Sequence, residues 1–189
     1  VKQMPHYYRP KMHFKIVPKE KIQTYIYNTD KEMGVLLALI WLTGLRISDT
    51  IKLTVNNIHI SEKMEDVVIT IKSSKGGTWA NPMFSFDDPF VKSVLLPYIT
   101  TLDRGNLFTK GRRRYQQKLL SLNKRLYGSE TSEYITFHYL RHSRITHLAR
   151  VLRAFPEEIK AWTGHKTVQF DVYIAPRKVE RFKGKLGDE

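Results

Sequence analysis

The chain has 189 residues, 41% hydrophobic and 26% charged, enough apolar material for one sizeable core and too much for a disordered polyelectrolyte. Its formal net charge of +14 points to a polyanionic partner, nucleic acid first and an acidic membrane surface second. The absence of cysteine excludes disulfides, thiolate zinc sites and a cysteine nucleophile, and fits an intracellular setting.

In chain order, residues 1–16 are basic, aromatic and interrupted by Pro5 and Pro10, without the apolar centre of a signal peptide. They read as an extended linker or the edge of a larger protein. Pro18 suits the first turn of a helix over about 19–28, and Asp30 suits the cap of a helix from Lys31 to Thr43. That helix carries the longest apolar run, Gly34 to Leu42, far short of the ~20 residues of a membrane span and therefore expected in the core. Gly44 ends it, and Ser48 or Asp49 is placed to start a short helix ending near Leu53.

The period then changes. Val67 to Ile71 has the β-branched composition of a strand, residues 73–77 have turn chemistry, Trp79 to Phe86 form a returning strand, and Val55 to Ile60 a third. Helical signals resume from Asp87 to about Thr101 and again from Arg112 to Tyr127, a long basic segment with leucines at 119, 120, 122 and 126. Thr136 caps a helix over Phe137–Arg150, Pro156 opens another ending near Thr163 and Gly164, and weaker helical signals cover 167–173 and 176–183. The expected class is α+β, mainly helical, with a small antiparallel sheet of two or three strands packed at one side.

The helix Phe137–Arg150, FHYLRHSRITHLAR, holds three histidines, three arginines and no acid. His138 and His142 share a face, the spacing of zinc hydrolases, but Tyr139 stands where the general-base glutamate would be and Arg141 and Arg144 would repel a dication, so no metal is expected. A phosphate suits the segment better. Arginine forks match phosphate oxygens, and His138 lies one turn before Arg141. The segment by itself fits either a phosphate-binding active site or a basic helix lying on a DNA backbone. Two further pieces are Leu42-Thr-Gly-Leu-Arg-Ile-Ser-Asp49, where Arg46 follows the glycine break of an apolar helix, and Trp162-Thr-Gly-His165, with Tyr173 eight residues later.

T-G-L-R-I-S-D, H-Y-L-R-H, T-G-H and a following tyrosine, in that order, resemble the catalytic domain of tyrosine recombinases, the phage-integrase family, over about residues 20–180. The resemblance implies DNA strand breakage and rejoining through a covalent 3′-phosphotyrosine, with no metal or other cofactor. Residues 17–189 would form the catalytic domain, with the N-terminal core-binding domain of relatives absent. By matching motifs the arginines are Arg46 and Arg141, the histidines His138 and His165, and the nucleophile Tyr173. Tyr127, Tyr134 and Tyr139 compete less well. His165 to Tyr173 is one residue shorter than the commonest family spacing and Arg141 to His165 one longer, so the offsets cancel. The family's hairpin lysine corresponds to Lys72 or Lys75, and the Ser-Lys-Gly-Gly turn resembles the family's Lys-Thr-Gly, favouring Lys75. Asp49 is expected as a helix-cap acid, with orientation of Arg46 as the other role.

The implied partner is double-stranded DNA, with dimers or tetramers assembling on it and no membrane, in the cytoplasm at nucleoid or host-cell DNA. An integrating virus or plasmid is the expected source by family frequency. Lys52, Lys72, Arg112, Arg113, Arg114, Lys118, Arg144 and Lys166 are candidates to track the backbone. A type IB topoisomerase-like enzyme and a non-catalytic DNA-binding module are the competing readings.

Overall fold

The computed structural model describes residues 16–61, 63, 65–102 and 105–166, and its centre is one helix with almost no polar face. Helix α1 (Lys19–Tyr27) leads into α2 (Lys31–Thr43), which starts where the Asp30 carboxylate accepts from the Met33 N–H at 3.1 Å. Every residue of α2 from Met33 to Ile40 is buried, because α1, α6 and the segment before α4 enclose it on different sides. Pro18 lies just outside α1 as its N-cap, one position earlier than its fixed φ suggests. Gly44 ends α2 with φ +66°, and a Cβ there would lie 3.2 Å from Arg144 Cβ, so both backbone angle and close approach require glycine.

Helix α3 (Ile47–Thr50) begins directly after Arg46. A cap at Ser48 or Asp49 is therefore corrected: Arg46 is the N-cap residue, and Asp49 lies inside the helix with its carboxylate turned elsewhere.

After a 3-10 turn (Val55–Asn57) come β1 (Ile58–Ser61), β2 (Asp66–Ile69), β3 (Ile71–Lys72), β4 (Trp79–Ala80) and β5 (Met83–Ser85). They form two antiparallel ladders, one of order β1-β2-β5 and one pairing β3 with β4. Each of the two long strands read from sequence is interrupted once. The Thr70 N–H is drawn off to the Asn57 carbonyl at 2.9 Å, and Pro82, which has no N–H, separates β4 from β5. The hairpin bends there, and its distal half, β3–β4, leans onto α7.

A π-helical turn (Val91–Leu95) runs into α4 (Leu96–Ile99), and α5 (Arg112–Tyr127) buries Tyr115, Leu119, Leu122 and Asn123. Asn123 fixes the approach to the next helix. Its amide donates to the Ile135 carbonyl at 2.8 Å, and its oxygen accepts from the Ile135 N–H at 3.1 Å and the Tyr25 hydroxyl at 2.5 Å. Thr136 then caps α6 (Phe137–Arg150), accepting from the Tyr139 N–H. Helix α7 (Pro156–Thr163) packs on α6 through Ile145, Leu148, Ala149 and Ile159 and ends at Gly164, φ +66°, where a Cβ would stand 3.1 Å from Ala80 Cβ. The mainly helical class with a small antiparallel sheet is what the structure shows. The expectations for residues 1–15, for 167–173 including Tyr173, and for 176–183 lie outside the described residues.

Candidate functional site

Four segments distant in sequence bring their charged side chains to one cleft of about 710 Å³. Arg46 comes from the break between α2 and α3, Lys75 from the β3–β4 turn, His138, Arg141 and His142 from the first turns of α6, and His165 from just beyond α7. Arg112, at the start of α5, lines the same cleft. Lys72 is exposed on the hairpin opposite Trp79 and does not line the cleft as Lys75 does.

Arg141 is only 5% exposed, and its guanidinium is spread between two anchors. Nη1 donates to the Gly44 carbonyl at 2.6 Å, tying α6 to the residue that ends α2, and Nη2 lies 2.7 Å from His165 Nε2. The tautomer of His165 follows from its neighbours. The Thr163 hydroxyl donates its one proton to the Ile159 carbonyl at 2.6 Å, so towards His165 Nδ1, at 2.8 Å, it accepts. Arg141 Nη2 lies 2.9 Å from Nδ1 and 2.7 Å from Nε2; with Thr163 taking the Nδ1 hydrogen, the lone pair that accepts from Arg141 is on Nε2. Burial first, then Arg141, Arg46 and His142, push the His165 pKa down to about 3, so the ring is neutral at physiological pH.

Arg46 is held by a short relay. Its Nη1 donates to Ser73 Oγ at 3.2 Å, and Ser73 Oγ donates to Asp49 Oδ2 at 3.1 Å. The other Asp49 oxygen accepts from the Ser74 N–H at 3.0 Å and the Ser74 hydroxyl at 2.5 Å. One carboxylate, 1% exposed, thus fastens α3 to the turn whose next residue is Lys75. It binds the hairpin, not the end of its own helix.

His138 and His142 face each other with Nε2 atoms 2.6 Å apart and ring centroids 4.0 Å apart, edge to face. Burial and then Arg141 lower the His138 pKa, and burial, His138 and Arg141 lower that of His142 to about 4. With both rings shifted towards the neutral form, the cationic side chains lining the cleft are Arg46, Arg141, Arg112 and Lys75.

The candidate backbone cations divide. Lys52, Lys72 and Arg113 are exposed, and Lys166 is exposed beside Gly76 of the hairpin turn, with Arg112 in the cleft. Arg114 and Lys118 line a separate groove with Asp30, which Lys118 pairs with directly. Arg144 turns inward: its guanidinium lies 5.4 Å from the centre of the Trp162 ring and 3.3 Å from His147 Nδ1, and desolvation brings its pKa down to about 10 against the opposing pull of Asp88. His142, Ser73, Ser74 and Thr163 were not singled out as site residues by sequence. Only His142 carried a signal, its four-residue spacing from His138, which reads equally as a metal motif.

The model of the phage integrase family matches residues 17–173. Among solved structures the chain is similar to the XerH site-specific recombinase bound to palindromic difH substrate in a post-cleavage complex, at 16% identity and a TM-score of 0.63, covering 85% of this chain and 49% of that one. It is also similar to the XerA recombinase, at 19% identity and a TM-score of 0.62, covering 87% and 60%. A third is the Tn1549 transposon integrase in complex with circular intermediate DNA, at 17% identity and a TM-score of 0.60, covering 88% and 62%. These likenesses are of fold, and the chain spans about half to three fifths of the length of those proteins. No curated protein matches it significantly.

Proposed function

The chain belongs to the phage integrase family, and we propose that it is the catalytic domain of a tyrosine-type site-specific DNA recombinase. The observation that carries this reading is the meeting of Arg46, Arg141, His138, His165 and Lys75 around one open, basic cleft.

In the proposed reaction the Tyr173 oxygen attacks a phosphodiester in that cleft. A bond from the phenol oxygen to phosphorus forms, the bond to the 5′-oxygen breaks, and a 3′-phosphotyrosine results. Arg46 and Arg141 pair with the non-bridging oxygens as negative charge grows on them, a role worth about 3–4 kcal/mol for each preorganised donor. Tyrosine, with an ordinary pKa near 10, needs a base, and neutral His138 takes its proton. Lys75 gives a proton to the leaving 5′-oxygen. His165 turns from Arg141 to the phosphate when DNA enters. A 5′-hydroxyl from another strand reverses the steps and reseals the backbone at almost no net cost, since one phosphodiester replaces another.

Duplex DNA as substrate, assembly of several copies on it, and use by an integrating virus or plasmid are parts of the same proposal, supported by family membership and the +14 charge. A nicked duplex that loses the short 5′ fragment on cleavage traps the covalent product. The wild-type chain is expected to give a protein–DNA adduct, and Tyr173→Phe none. An adduct from Tyr173→Phe would place the nucleophile elsewhere, and none from either protein would remove the enzymatic reading.

A further inference from the structure

The contact between His138 and His142 has only two neutral solutions. At 2.6 Å between Nε2 atoms, one ring must donate and the other accept. Both rings line the cleft, His138 exposed and His142 half-buried, so an incoming proton reaches His138 more readily. A protonated His138 has hydrogen on both nitrogens and needs an acceptor at Nε2, and His142 Nε2 is the atom in place.

We propose that His142 is a positioning residue: its Nε2 lone pair accepts from His138 Nε2–H, leaving His138 Nδ1 as the basic nitrogen for the tyrosine proton. The inference rests on the recombinase reading. It assigns to a neutral imidazole the orienting work that a carboxylate does in a serine-protease triad. A carboxylate here would neutralise the charge that Arg141 holds for phosphate, whereas a neutral ring orients His138 and leaves that charge intact. The groups facing the pair are Arg141 on α6, Arg46 before α3, Lys75 on the hairpin turn, Arg112 on α5, Tyr134 before α6 and His165 beyond α7. Burial first, then His138 and Arg141, lowers the His142 pKa to about 4 and keeps it an acceptor through the neutral range.

Two measurements test the inference. Long-range proton–nitrogen NMR spectra of the whole chain, without DNA and near neutral pH, are expected to show His138 with its hydrogen on Nε2 and His142 with its hydrogen on Nδ1. The opposite assignment overturns the proposal. Adduct formation on the nicked duplex is then followed against pH for wild type, His142→Gln and His142→Leu. A glutamine carbonyl can accept in place of Nε2, so His142→Gln should keep the acid limb of the profile and a rate within about threefold of wild type. His142→Leu should slow the reaction about tenfold or more and move the acid limb to lower pH, because His138 loses the acceptor that stabilises its cation. A His142→Leu profile matching wild type, or both variants equally slow with an unmoved limb, overturns the proposal. If His142→Leu does not fold, the wild-type spectra and the His142→Gln profile decide. Failure of the wild type to form an adduct removes the recombinase reading and this inference with it, whereas an adduct with the opposite tautomer removes this inference alone.

Discussion

Ser73 shows how a small side chain can set the order of a charged site: its oxygen accepts from Arg46 and donates to Asp49, so guanidinium and carboxylate are linked without touching. Direct pairing would quench the Arg46 charge, and the intervening hydroxyl leaves it available to an anion in the cleft. The histidines have a measurable consequence at the same scale. His165 and His142, with pKa values brought down to about 3 and about 4, bind fewer protons folded than unfolded below the ordinary histidine pKa of about 6.5. Their contribution to stability is complete above that pH and is lost as pH falls towards the folded values. The urea midpoint should therefore drop between about pH 6.5 and pH 4, and less steeply in His165→Gln. Equal slopes for the two proteins would show that His165 is not held neutral.

At the scale of elements, the β3–β4 hairpin is secured to the helical body at both ends of its turn. Asp49 grips Ser73 and Ser74, and Thr78 Oγ1 donates to the Gly164 carbonyl at 2.7 Å, so the lysine turn is tied to α3 and to the segment bearing His165. Asp49→Ala leaves the Ser74 N–H and the Ser73 hydroxyl without their acceptor, at a cost of about 1–3 kcal/mol. If Lys75 is the general acid of the proposed reaction, Asp49→Ala should also slow adduct formation on ordinary DNA by about a hundredfold, by releasing the lysine turn. DNA with sulfur at the bridging 5′ position has a leaving group that needs no proton, and should restore most of the rate to both Asp49→Ala and Lys75→Ala. Loss of activity on both substrates would mean that Asp49 supports the arginines and not the lysine turn.

Across the whole molecule the positive charge is unevenly employed. Lys118 is paired with Asp30 and Lys110 with Glu32, while Arg112 stands in the cleft. If duplex DNA lies along that cleft, each phosphate contact adds about −0.9 to the slope of log affinity against log salt. Arg112→Ala should flatten the slope by about one, and Lys118→Ala should leave it unchanged. Binding isotherms over a salt series check both, and equal effects would mean that binding is spread over the surface.

Most helices were legible because their signals are local. Asp30, Thr136 and Pro156 mark the starts of α2, α6 and α7, and Gly44 and Gly164 mark the ends of α2 and α7, each at or beside the residue named. The strands were half legible. β-branched composition announced them, but the breaks at Thr70 and Pro82 depend on partners across the sheet.

Sequence by itself determined the family and most helix starts and stops, since capping, backbone preference and short motifs act within a few residues. Tertiary structure alone decided that Asp49 serves the hairpin, that Arg144 turns inward to Trp162, and that His138 meets His142 beside Arg141. Hydrogen bonds act over about 3 Å in space. Gly44 and Arg141 stand 97 positions apart in the chain, and nothing in the sequence between them carries a trace of the 2.6 Å contact that joins them.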